Sequence, residues 1–207
     1  MSRFVYLHGF ASGPGSKKAG FFKQRFAELG MGLEVPDLAE GDFRGLTLTG
    51  QLRVIERVSR GEAVTLIGSS MGGYLAALYA ARHPEVERLV LMAPAFCFLK
   101  RWQETLGPAA LEKWRTSTTL DVFHYGEGRA APLGYQLIED AGQYEDYPDV
   151  SQPALIFQGK NDAAVPVEYS EEFARRHPQA KLLVMNSDHE LLNVLDDMWM
   201  EASAFLF

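Results

Sequence analysis

A chain of 207 residues with 47% hydrophobic content holds enough apolar side chain for one substantial core and too little for two, so a single domain over 1–207 is expected. The formal net charge of -7, with basic residues scattered in short pairs such as Lys17-Lys18 and Arg175-Arg176, excludes a general binder of nucleic acid or of anionic membranes. The single cysteine, Cys97, excludes an internal disulfide, and no Cys/His spacing suggests a metal site, so no metal is expected.

The first element is an apolar strand, FVYLHG, reached without the longer apolar stretch and cleavage site of a signal peptide, and a cytoplasmic location is expected. It runs into the loop GFASGPGSKKAG, which does not fit the spacing of a phosphate-binding G-x4-G-K-[ST] loop. His8 here reads as a structural residue bonded to loop backbone. A helix over Ala19–Leu29 follows, then a short strand LEVPD and a helix over Leu46–Ser59.

Next comes AVTLIGSSMGGYLAALYAARHP, an apolar strand turning abruptly into an alanine-rich helix over Met71–His83. At the turn, Gly68-Ser69-Ser70-Met71-Gly72 fits G-x-S-x-G between strand and helix, the pattern of a nucleophile elbow. So sharp a turn demands a strained central residue and leaves no room for side chains two positions away on either side. It lifts the hydroxyl of Ser70 clear of the sheet, while the amide of Met71, at the start of the helix, lacks an intrahelical partner. Ser70 is the candidate nucleophile. Met71, together with Phe10 in the loop after the first strand, is the candidate pair of backbone donors for an oxyanion hole.

The strand RLVLMAPA follows, and Cys97 beyond it reads as a buried small hydrophobe. From Phe96 to Ser151 the alternation of strand and helix is interrupted by a segment rich in Trp and Tyr with no clear strand. It reads as a partly helical, cap-like insertion over 96–151, or as an ordinary helix with loops along a flank of the core. His124 within it reads as an exposed cap residue that could touch substrate.

The strand ALIFQG then leads to GKNDAAVP, which puts Asp162 just past the strand's end; after a helix over Glu168–His177 and the strand KLLVMN, the loop NSDHELL puts His189 in the corresponding place. A serine needs a base, and the base needs a carboxylate to orient it. Ser70, Asp162 and His189 supply these in the chain order Ser, Asp, His. Asp188, adjacent to His189 on the chain, is poorly placed to bond the same imidazole, and His83 and His177 stand at helix ends before prolines, as local capping or solvated residues. A last helix covers Glu190–Phe205.

Six short apolar runs without polar alternation, separated by helices, point to an α/β fold with about six mostly parallel strands flanked by helices. The chain resembles the α/β-hydrolase superfamily, and within it the small YqiA/YcfP-like esterases, through FVYLHGFASGPGSKKA, LIGSSMGGYLA, LIFQGKNDAAVP and the terminal DHELL. The resemblance implies a cofactor-free serine hydrolase of carboxylic esters, with Ser70, Asp162 and His189 as triad and Phe10 and Met71 as amide donors. A peptidase or amidase, which would need a cap carboxylate such as Glu104, Glu127, Glu139 or Asp140 to hold an amine, a thioesterase, and a non-catalytic ligand binder stay open. A shallow pocket for small acyl esters, walled by Phe10, Met71, Phe96, Trp102 and Leu191, is expected from the chain's size; the sequence sets no oligomeric state.

Overall fold

A computed structural model describes residues 3–207; Met1 and Ser2, ahead of the first expected strand, lie outside the described residues. In chain order the elements are β1 (Arg3–Leu7), α1 (Lys17–Glu28), α2 (Leu48–Ser59), β2 (Val64–Ser69), α3 (Met71–Ala80), β3 (Val86–Met92), α4 (Phe98–Ser117), β4 (Thr119–His124), β5 (Arg129–Gly134), α5 (Gln136–Ala141), β6 (Ala154–Gly159), α6 (Val167–Arg176), β7 (Ala180–Met185) and α7 (Leu195–Leu206). Among the described residues the main sheet has five strands, all parallel, in the order β1-β2-β3-β6-β7.

Why the apolar runs lack polar alternation is visible in their packing. Val5, Leu66, Leu89, Leu91 and Ile156 point into one core with α2, α3 and Phe173 of α6. Their chain neighbours Tyr6, Ile67, Val90, Leu155 and Phe157 point into a second core with α1 and α7. Successive side chains face opposite sides of a strand, and here both sides are covered. α1 starts where Ser16 caps the Ala19 amide, and it buries Ala19, Phe22 and Phe26 at helical spacing. α3 is buried at every position from Met71 to Ala80, which explains its small and apolar composition.

Two expectations are corrected. LEVPD adds no sixth strand: Glu34 bonds on both sides to β1, through Tyr6 N–H to its carbonyl at 2.8 Å and its own N–H to the Phe4 carbonyl at 2.9 Å. The next donor in such a parallel ladder would be residue 36, a proline without an N–H, so the pairing stops after one bridge. The 96–151 segment, expected to hold no strand, contains the antiparallel hairpin β4–β5. Pro132 sits opposite Asp121 in that hairpin, where a two-stranded ribbon tolerates a missing donor, and this proline obscures the strand in the sequence. Before the hairpin, α4 is broken at Gly107-Pro108, where Gly107 takes a non-helical conformation. The hairpin tip is tied to the loop after β1 by the Tyr125 N–H bonding the Ala11 carbonyl at 2.7 Å.

Candidate active site

The parallel strands deliver their following loops to one edge of the sheet, where candidate residues from β1, β2, β6 and β7 gather. At the end of β2, Ser70 has φ 52° and ψ -116°, a left-handed strain that a serine adopts only when its surroundings impose it. The surroundings are close: a Cβ on Gly68 would lie 2.3 Å from the Gly72 carbonyl oxygen, and one on Gly72 would lie 2.1 Å from that of Leu7. Both glycines of the G-x-S-x-G pattern are therefore required by backbone contact. The Ser70 N–H is anchored to the Met92 carbonyl at 2.8 Å, and its own carbonyl takes the N–H groups of Gly73, Tyr74 and Ala95.

His189 comes from the loop after β7. Its approach depends on Gly159 at the end of β6, where a Cβ would meet the Asp188 carbonyl oxygen at 2.3 Å. The Asn161 N–H holds the Ser187 carbonyl at 2.9 Å, and Asn193 donates to the Asn186 carbonyl at 3.1 Å, closing the loop on itself. His189 Nδ1 lies 2.7 Å from Asp162 Oδ2, and Nε2 lies 3.0 Å from Ser70 Oγ. Because the carboxylate can only accept, Nδ1 carries the proton and donates it there, and Nε2 accepts from the Ser70 hydroxyl.

Asp162 is buried and fully satisfied. Its Oδ1 accepts from the N–H groups of Ala164 at 2.9 Å and Val165 at 2.8 Å, and Oδ2 accepts from Gln158 Nε2 at 2.8 Å besides His189. Burial works against its charge, but the bonds from His189 and the two amides outweigh it and hold the carboxyl below its ordinary pKa. Gln158, wholly buried, is a residue that sequence reasoning missed; it also donates to the Val165 carbonyl at 3.0 Å and accepts from Ser170 Oγ at 2.7 Å. Its signal was present as the one amide in the apolar run ALIFQG.

The amides of Phe10 and Met71 have no acceptor among the described residues, and both residues line the cavity that holds Ser70 and His189. Of the expected walls, Phe96 and Trp102 line it too. Leu191 does not: its backbone is left-handed at φ 57°, which turns the side chain into the core beneath α7, where it is wholly buried. Residues of α4 and of the hairpin line the cavity at this sheet edge, whose volume is about 1120 Å³.

The other histidines make no bond to Ser70, Asp162 or His189 among the described residues, although His124 lines the same cavity. His8 donates from Nδ1 to the Gly9 carbonyl at 3.0 Å and accepts the Leu38 N–H on Nε2 at 3.1 Å. His83 lies 3.0 Å from Glu85, and buried His177 donates to the Phe173 carbonyl at 2.8 Å. His124, expected to be exposed, is buried, because its ring packs edge-on against Phe43 at 4.6 Å and its Nδ1 accepts the Glu127 N–H at 3.2 Å. Asp188 accepts the Glu190 N–H at 2.9 Å and makes no bond to the imidazole. Cys97 is buried, and burial pushes its thiol pKa up. Of the four cap carboxylates, only Glu127 lines the cavity, and it is paired with Arg129 at 2.5 Å. Asp140 accepts from Thr49 Oγ1 at 2.6 Å, and Glu104 lies 3.7 Å from Arg101. Among the described residues no helix is long and apolar enough to cross a membrane, and no cluster of three metal-ligating side chains occurs.

Several solved structures share this architecture at low identity. Est1E from Butyrivibrio proteoclasticus, solved with ferulic acid bound, matches with a TM-score of 0.82 and 20% identity, covering 100% of this chain and 88% of its own. The alpha/beta hydrolase domain-containing protein 10 from mouse matches with a TM-score of 0.83 and 18% identity, covering 98% and 88%. The monoacylglycerol lipase of Paleococcus ferrophilus matches with a TM-score of 0.77 and 15% identity, covering 98% and 93%. No curated protein matches the sequence. The family described as "Uncharacterised protein family (UPF0227)" matches residues 3–206, and the chain, with its α/β-hydrolase fold, belongs to that family.

Proposed function

We propose that this protein is a serine hydrolase of carboxylic esters, working through Ser70, His189 and Asp162. The observation that carries the reading is the unbroken chain of bonds from Ser70 Oγ to His189 Nε2 at 3.0 Å and from His189 Nδ1 to Asp162 at 2.7 Å. Ser70 Oγ attacks the ester carbonyl as its proton passes to Nε2, and the negative charge on the carbonyl oxygen falls to the free amides of Phe10 and Met71. The imidazolium then protonates the departing alcohol as the C–O bond breaks, leaving an acyl-enzyme. A water molecule, deprotonated by His189, attacks this in turn and releases the acid. Asp162 stays ionised throughout, since its four accepted bonds favour the charged form.

Two similar folds, one holding ferulic acid and one named a monoacylglycerol lipase, support ester chemistry in kind. The cavity of about 1120 Å³ admits more than the smallest acyl groups. Hydrolysis of 4-nitrophenyl butyrate tests the assignment. Ser70→Ala is expected to lower kcat by at least about 10⁴-fold; a variant as fast as the wild type contradicts it.

A further inference from the structure

On the side of the cavity bounded by the His189 loop and α1 lies a group of donors that ester cleavage as described leaves unused. The phenol of Tyr6 is wholly buried, lines the cavity, and has no hydrogen-bond partner. The hydroxyls of Ser16 and Ser69 flank it without completing a bond to it. Lys18, half-buried on the same wall, makes no ion pair among the described residues. It stands in the first turn of α1, a turn with no acidic residue, where the Lys17 and Lys18 amides have no acceptor. Two lysines at the positive end of a helix dipole are unfavourable alone and favourable beside an anion.

We propose that Tyr6, Ser16, Ser69 and Lys18 form a subsite for an anionic oxygen group, carboxylate or phosphate-like, carried on the leaving-group side of the substrate. The proposal rests on the ester-hydrolase reading, because the side is set by His189, which must protonate the departing alcohol. Lys18 shares the cavity lining with His189 and Glu190, and the acids whose charge acts on it, Glu190, Asp162 and Asp188, all flank that histidine. An alcohol leaving toward His189 therefore passes the ammonium, whereas Phe96 and Trp102 belong to other elements of the wall. Burial keeps the Tyr6 phenol protonated by raising its pKa, so it remains a donor.

Three phenyl butyrates bearing carboxamide, carboxylate or phosphonate at ring position 3 test the subsite and tell the two anions apart. Wild type is expected to favour at least one charged ester over the carboxamide by about tenfold in kcat/KM, the value of a hydrogen bond to a charged group. Lys18→Met brings that ratio toward unity, and Lys18→Arg restores most of it. Burial also lowers the Lys18 pKa to about 8, so the preference declines as the pH rises through that value and the ammonium loses its proton. A wild-type ratio of unity, or a ratio unchanged in Lys18→Met, overturns the subsite while carboxamide hydrolysis shows the serine at work. If the wild type cleaves none of the three, the ester-hydrolase reading fails. Calorimetric binding of 3-hydroxybenzoate then decides the subsite: weaker binding to Lys18→Met supports it, and equal affinities overturn it.

Discussion

Strain at Ser70 and satisfaction at Asp162 are opposite conditions, and the site uses both. The serine is held in a left-handed conformation by glycines that cannot carry a Cβ, whereas the aspartate has every acceptor position filled. Gln158 links these residues to the strand beneath, fixing Asp162 Oδ2 and the Val165 carbonyl with one amide group. Gln158→Leu removes that amide and leaves Ser170 Oγ without its acceptor, at a cost of about 1–3 kcal/mol in stability. Because Asp162 then orients His189 less well, kcat is expected to fall with KM nearly constant. Steady-state kinetics beside urea unfolding separates the effects: lost stability with unchanged kcat would reduce Gln158 to a packing residue. That Ser70, Asp162 and His189 meet at one sheet edge was legible in the sequence, because each follows an apolar strand and parallel strands deliver their loops to the same edge. Leu191 was not, since its direction depends on a left-handed backbone that no residue type at that position signals.

At the level of elements, the buried strands were readable from their uninterrupted apolar runs, and their helices from the patterned stretches between them. The hairpin β4–β5 was hidden by Pro132 and by short runs with exposed polar faces, for which neither period is distinctive. Its attachment to the rest rests on tertiary contact. Trp114 of α4 is buried, bonds the Leu133 carbonyl at 3.0 Å, and packs against Trp102 at 5.4 Å and Tyr135 at 5.5 Å. Trp114→Ala is expected to cost about 3–5 kcal/mol, read by urea unfolding. Since Trp102 loses its support at the cavity wall, KM for the butyrate ester is expected to rise more than kcat falls. A loss below about 1 kcal/mol would show that the hairpin is held by other contacts.

For the molecule as a whole, pH acts through groups that folding desolvates. Burial holds His8 below its ordinary pKa of 6.5, despite the Gly9 carbonyl that favours its charged form. The unfolded chain therefore takes up that proton first, so stability is full above about pH 6.5 and declines as the pH falls toward the folded value. Protonation also removes the acceptor for the Leu38 N–H. Asp162, whose pKa is depressed, acts in the same direction at lower pH, its contribution being lost below the ordinary carboxylate range. Unfolding free energies at about pH 7.5 and 5.5 are expected to differ less in His8→Gln than in the wild type, and equal differences would contradict the assignment to His8. Charge and composition told of an acidic chain, but not of a cavity of about 1120 Å³ lined by α4 and the hairpin, elements set in place by the break in α4 and by the bond from the hairpin tip to the loop after β1. Whether that cavity houses an activated serine is the central claim, and reaction with a fluorophosphonate followed by peptide mass mapping tests it most directly. A single adduct on Ser70, lost in Ser70→Ala and strongly slowed in His189→Ala, is the predicted result; an unmodified Ser70 peptide, or labelling indifferent to His189, would contradict it.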